Sequence, residues 1–73
     1  MNRFSITMNN KKRHCIDGAS IEEIFMRIDG LRLQGKRWLK VYDYDPDRAR
    51  VLGDDGNWNV YVNIDHIVSI EEI

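Results

Sequence analysis

Cysteine, proline, long apolar runs and an excess of either charge are all scarce in this 73-residue sequence. A single cysteine, Cys15, cannot close an internal disulfide, which fits a reducing cytoplasm and leaves stability to the hydrophobic core. A single proline, Pro46, and the lack of any repeat, low-complexity tract or linker leave no domain boundary. Residues 1–73 therefore read as one small domain, near the lower size limit for folding without staples. No apolar stretch approaches the roughly 20 residues that span a bilayer. Met1 to Ser5 carries one basic residue and no apolar segment behind it, so a signal peptide is not expected either. The expected setting is the cytoplasm, with no membrane contact.

The net charge of −1 excludes a protein that coats DNA by charge alone, because counterion release needs several clustered cations. That total hides blocks. Residues 1–16 carry Arg3, Lys11, Lys12 and Arg13 with no acid, and residues 30–42 carry Arg32, Lys36, Arg37 and Lys40 with none. The intervening residues 17–29 are mostly acidic, and the balance turns acidic again from Asp43. A local basic face forms if the two basic blocks meet in space.

What is present is patterning. Trp58, Val60, Val62 and Ile64 alternate with Asn57, Asn59, Tyr61 and Asn63 after an Asp55-Gly56 turn. Period-two alternation is the signature of a half-buried strand, since successive side chains leave opposite faces. This strand breaks at Asp65-His66 and resumes through Val68 and Ile70. Phe4, Ile6 and Met8 mark a first strand, Asn9-Asn10 a turn, and residues 12–16 a returning strand. A three-residue loop pairs Phe4 with Ile16 and Ile6 with His14, whereas a four-residue loop sets Ile6 opposite Cys15. That slip exchanges which of His14 and Cys15 faces the core.

Ser20-Ile21-Glu22-Glu23 is a capping box, and Ile21, Ile24, Phe25 and Ile28 follow at the spacing of one buried helical stripe. The helix is expected over about residues 21–29, ending at Gly30. In Lys36 to Tyr44, Leu39 and Val41 point one way and Trp38, Lys40, Tyr42 and Tyr44 the other. Asp45-Pro46-Asp47 reads as a turn, Arg48 to Leu52 as a short strand, and Gly53 to Gly56 as a tight turn. The fold class expected is α+β: a bent antiparallel sheet or small partly open barrel of five to six strands. One amphipathic helix follows strand 2, in ββαβββ order. The expected core is Phe4, Ile6, Ile21, Ile24, Phe25, Ile28, Leu39, Val41, Val51, Val60, Val62, Ile64, Ile67 and Ile70.

No constellation for chemistry is visible. His14 and Cys15 are adjacent, so on a strand they face opposite sides, and with His66 they match no CxxC, HxH or HExxH spacing. Ser20 is occupied by capping. Neighbouring acids such as Glu22-Glu23, Asp54-Asp55 and Glu71-Glu72 diverge on turns and strands. A domain this small has little room for the several-hundred-Å3 cleft that small-ligand sites need. The expectation is a protein that is not an enzyme and holds no metal or cofactor.

Two kinds of binding remain. Long strands with aromatics on both faces, one of them at an edge, offer a template for a protein partner's strand. The acids Asp43, Asp45, Asp47, Asp54 and Asp55, with Tyr61 on the neighbouring long strand, are the candidate protein-binding residues. They form two groups at opposite ends of the short segment between them, and their plain alternative is turn chemistry. The second kind is a single-stranded nucleic acid stacked on Trp38 and Tyr42 beside Lys36, Arg37 and Lys40. Its plain alternative places Trp38 and Tyr42 in the core of a two-sided sheet. An open edge would also serve a homodimer.

The ending Val60-x-Val62-Asn63-Ile64-Asp65-His66-Ile67-Val68-Ser69-Ile70-Glu71 resembles the ends of small bacterial and phage proteins, and the strand–turn–strand close of SH3-like and Sm-like barrels. It covers about a quarter of the chain. The resemblance implies a phage or mobile-element source and the role of an inhibitor or adaptor acting on a host enzyme or complex. It assigns no functional residue.

Overall fold

A computed structural model describes residues 1–53 and 55–73. Its strands are β1 (Asn2–Met8), β2 (Arg13–Gly18), β3 (Trp38–Tyr44), β4 (Asn57–Asn63) and β5 (Ile67–Glu72). Helix α1 (Ile21–Leu33) follows β2, helix α2 (Pro46–Leu52) joins β3 to β4, and a 3-10 turn (Ile64–His66) joins β4 to β5. All pairings are antiparallel and the strand order is β4-β3-β2-β1-β5. The sheet is bent but not closed, so β4 and β5 are its two edges. This is the α+β class that the patterning implies, with a second helix added.

The β1–β2 hairpin uses the three-residue loop. Phe4 faces Ile16 and Ile6 faces His14 across the ladder. The left-handed residue is Lys11 (φ 69°), not either asparagine. Asn10 contributes differently, its side-chain oxygen accepting from the Lys12 N–H at 3.0 Å. His14 consequently turns into the core and Cys15 to the opposite face, beside Ser5 and Tyr42.

Ser20 caps α1 through its Oγ, which accepts from the Glu23 N–H at 3.2 Å. Glu23 reaches back one residue further than a standard capping box and accepts from the Ala19 N–H at 2.6 Å. The Arg27 guanidinium also donates to Glu23, at 2.7 Å. Those bonds, the Arg27 one foremost, hold the Glu23 carboxyl below its usual value. The helix continues past Gly30 to Leu33 and closes at Gly35, whose φ of +70° lies in the left-handed region. Lys36 N–H bonds to Leu31 C=O at 2.8 Å and Gly35 N–H to Arg32 C=O at 3.0 Å, the paired bonds of a Schellman close. The expected end at residue 29 is therefore too early. Leu31 explains the extension, because it packs against the core one turn beyond Ile28.

Phe4, Ile6, Met8, Ile16, Ile24, Ile28, Leu39, Val41, Val62 and Ile64 form the core, with Ile21, Leu31, Val60, Ile67 and Ile70 packed around it. Two expected members are not in it. Phe25 is half exposed, because the buried stripe of α1 runs through Ile21, Ile24, Ile28 and Leu31 and leaves Phe25 on its flank. Val51 is 76% exposed, because residues 48–52 form a helix and not the expected strand. The reason lies just before it. Asp45 accepts from the Asp47 N–H at 2.9 Å, Pro46 occupies the first turn, and Gly53 closes the helix at φ 71°. Asp45-Pro46-Asp47 is thus a helix start and not a free turn.

Candidate functional site

Helix α1 covers one face of the sheet and the register defines the other. Cys15 pairs with Tyr42, Arg3 with Asp17 and Ser5 with Cys15, so these side chains share the uncovered face. Alternation along β3 adds Trp38, Lys40 and Tyr44, and their β4 partners Asn63, Tyr61 and Asn57 complete it. Trp38, Tyr44 and Tyr61 are 60%, 53% and 61% exposed, which places them on the surface and not in a second core.

Tyr42 is held by Asp17 and Arg3. Its hydroxyl donates to Asp17 Oδ1 at 2.7 Å, and the Arg3 guanidinium stands 5.8 Å from its ring centroid. Arg3 also approaches Asp17 at 3.9 Å. Burial first, and then the hydrogen bond and charge of Asp17, push the Tyr42 phenol up to about 12. Burial likewise raises the neighbouring Cys15 thiol, against the pull of Arg3. A thiol so placed stays protonated and is a poor nucleophile.

The expected nucleic-acid residues Trp38, Lys40 and Tyr42 line up on this face, with Lys36 and Arg37 exposed in the connector just before β3. Alternation puts Arg3 and Arg13 of the first basic block and Lys40 of the second on this same face, with the acid Asp17 beside Arg3. Tyr61 joins them across from Lys40. Sequence alone does not show that Arg3, Asp17 and Tyr42 associate, because that depends on the β2–β3 register, which no local pattern encodes.

The acids behave differently. Asp43 lies on the covered side, where the His14 Nδ1–Asp43 Oδ1 distance is 2.6 Å and His14 is buried. Asp45 caps α2, Asp47 pairs with Arg50 at 2.7 Å, and Asp55 accepts from the Asn57 N–H at 3.0 Å. Asp54 lies outside the described residues. Each of these described acids is thus engaged in a bond of its own, Asp43 with His14 far away in sequence and Asp45, Asp47 and Asp55 within two or three residues.

His14 and His66 line a shallow groove of about 320 Å3 with Met8, Val62 and, at its border, Trp38 and Tyr61, and Cys15 faces away from it. Among the described residues, no group of three or more His, Cys, Asp or Glu is placed to hold a metal ion. None of the helices there is long and apolar enough to cross a membrane. Comparison with protein-family models, with curated proteins and with solved structures returned no match.

Proposed function

We propose that this protein is a non-catalytic binding module whose working surface is the uncovered sheet face, and that its partner is another protein. The observation that supports this reading is the exposure of Trp38, Tyr44 and Tyr61 on a face that also carries the Arg3–Tyr42–Asp17 contacts. Tyr, Trp and Arg are the residues that anchor protein interfaces, since they offer large rigid area with a polar end. Charges of both signs are present, with Arg3 and Asp17 partly cancelling, which suits a mixed protein surface better than a phosphate chain. Inhibition or adaptation of a host enzyme is one role such a module fills without a catalytic site of its own.

A second reading is favoured by one feature. Trp38, Lys40 and Tyr42 alternate on one strand, with Lys36 and Arg37 beside them, as a stacking platform for a single strand would require. A photo-crosslinking residue at position 61 and fluorescent oligonucleotides separate the two. The protein-binding reading expects one specific crosslinked protein, lost on Trp38→Ala, and no oligonucleotide binding at moderate salt. Oligonucleotide binding that weakens with salt and with Trp38→Ala would instead establish the second reading.

A further inference from the structure

From the outer edge of β4 we infer a self-association surface whose partner is a second copy of this chain, paired antiparallel about Val60. The surface is the sheet's rim, not its open face, and the inference does not depend on the reading above.

The two edges differ in how they are protected. Strand β5 carries Glu71 and Glu72 and a register shift opposite Thr7 and Met8, where Val68 is displaced and exposed. Charges and bulges of this kind blunt an edge against pairing. Strand β4 reads Asn-Trp-Asn-Val-Tyr-Val-Asn, with no charged residue, proline or glycine along its length.

Its hydrogen-bond phase is fixed at both ends. Asp45 N–H bonds to Gly56 C=O at 2.9 Å, and Ile64 N–H bonds to Arg37 C=O at 2.8 Å. Even-numbered residues between these points therefore direct their backbone groups at β3, and Asn57, Asn59, Tyr61 and Asn63 direct theirs outward. The Asn57 N–H is taken by Asp55. The other outward groups face the rim, where among the described residues no strand pairs with β4.

An antiparallel partner must match outward residues with outward residues, and the register centred on Val60 does so. Asn59 then faces Tyr61 of the second copy and exchanges both bonds with it. Asn63 N–H donates to the Asn57 C=O of the second copy. Val60 meets its own equivalent, and Trp58 faces Val62, an aromatic opposite a β-branched residue. No like charges oppose within the paired span, since Asp55 and Asp65 lie beyond the strand ends. Trp58 is about one-third exposed. Facing Val62 of the other copy, it lies at the groove that Val60, Val62 and Met8 line there. The symmetry is the two-fold, isologous kind that most homodimers use.

The test is the solution mass of the full chain, by light scattering, for parent, Asn59→Pro, Asn59→Lys and Val68→Lys. Asn59→Pro removes an outward N–H that β3 does not use, and Val68→Lys alters the other edge. The expected result is a parent of twice the 8.7 kDa chain mass, unchanged in Val68→Lys. Both Asn59 variants should dissociate at least about tenfold more readily while keeping the parent's circular dichroism. If Asn59→Pro fails to fold, Asn59→Lys alone decides. A parent of single-chain mass at the concentrations used for NMR would overturn the inference, as would a dimer unaffected by either folded Asn59 variant or broken by Val68→Lys.

Discussion

At the scale of single residues, burial sorts side chains that look alike in sequence. Phe4 is fully buried and Phe25 half exposed. Phe4→Ala should cost about 3–5 kcal/mol and Phe25→Ala about 1 kcal/mol or less, a contrast that urea unfolding will show. His14 and Asp43 form the one described hydrogen bond between a buried histidine and a carboxylate. Replacing either by Ala leaves the other short of its partner, at a cost of about 1–3 kcal/mol by the same measurement. Tyr42 gives a pH signature. Its phenol is raised to about 12, so the protonated form is the one the fold favours. That contribution is complete below about pH 10, the ordinary tyrosine value, and is lost as pH rises through 12. Near-ultraviolet titration should show one phenol ionising only near pH 12, and Asp17→Asn should bring it down while leaving the part due to burial.

At the scale of elements, caps and closes decide where structure begins and ends. Gly35 adopts φ +70° at the close of α1, a conformation that costs an L-residue about 1–2 kcal/mol. Gly35→Ala should lower stability by that amount in thermal unfolding, with the helix content of the folded state preserved. These same signals explain what could be read from sequence. The capping box at Ser20, the alternation of β1 and β4, and the break at Asp65-His66 are local patterns, and the structure places them where they point. The hairpin register of residues 3–16 was open because both loop lengths satisfy the turn chemistry, and only the side on which His14 packs resolves it. Residues 48–52 look like a strand when Asp45-Pro46-Asp47 is taken for a turn and Gly53 to Gly56 for the next one. Asp45-Pro46 decides against this, since an N-cap followed by proline sets the first helical turn. The extra length of α1 was hidden by Gly30, which a helix tolerates when Leu31 beyond it still finds the core. On the candidate face, the row Trp38-Lys40-Tyr42 was legible from alternation. The addition of Arg3 and Asp17 was not, because it arises from strands distant in sequence.

At the scale of the whole molecule, one helix cannot cover both faces of a five-stranded sheet. Helix α1 buries one face over Phe4, Ile6, Leu39 and Val41, and α2 stands at the β3–β4 end, where Arg48 lies 5.6 Å from the Trp58 ring centroid. The other face carries Trp38, Tyr44 and Tyr61, each more than half exposed, with Trp38 and Tyr61 also edging a groove of about 560 Å3 against Arg27, Gly30 and Gln34 of α1, and the proposed function depends on that exposure. Aromatics of this size would carry much of the stability if they lay inside. The decisive measurement is the urea unfolding free energy of the double variant Trp38→Ser/Tyr61→Ser beside the parent. With each ring about 60% exposed, the division of faces predicts a loss of about 2 kcal/mol or less for the pair. A loss of several kcal/mol, of the size expected for Phe4→Ala, would place these rings in a second core and contradict it.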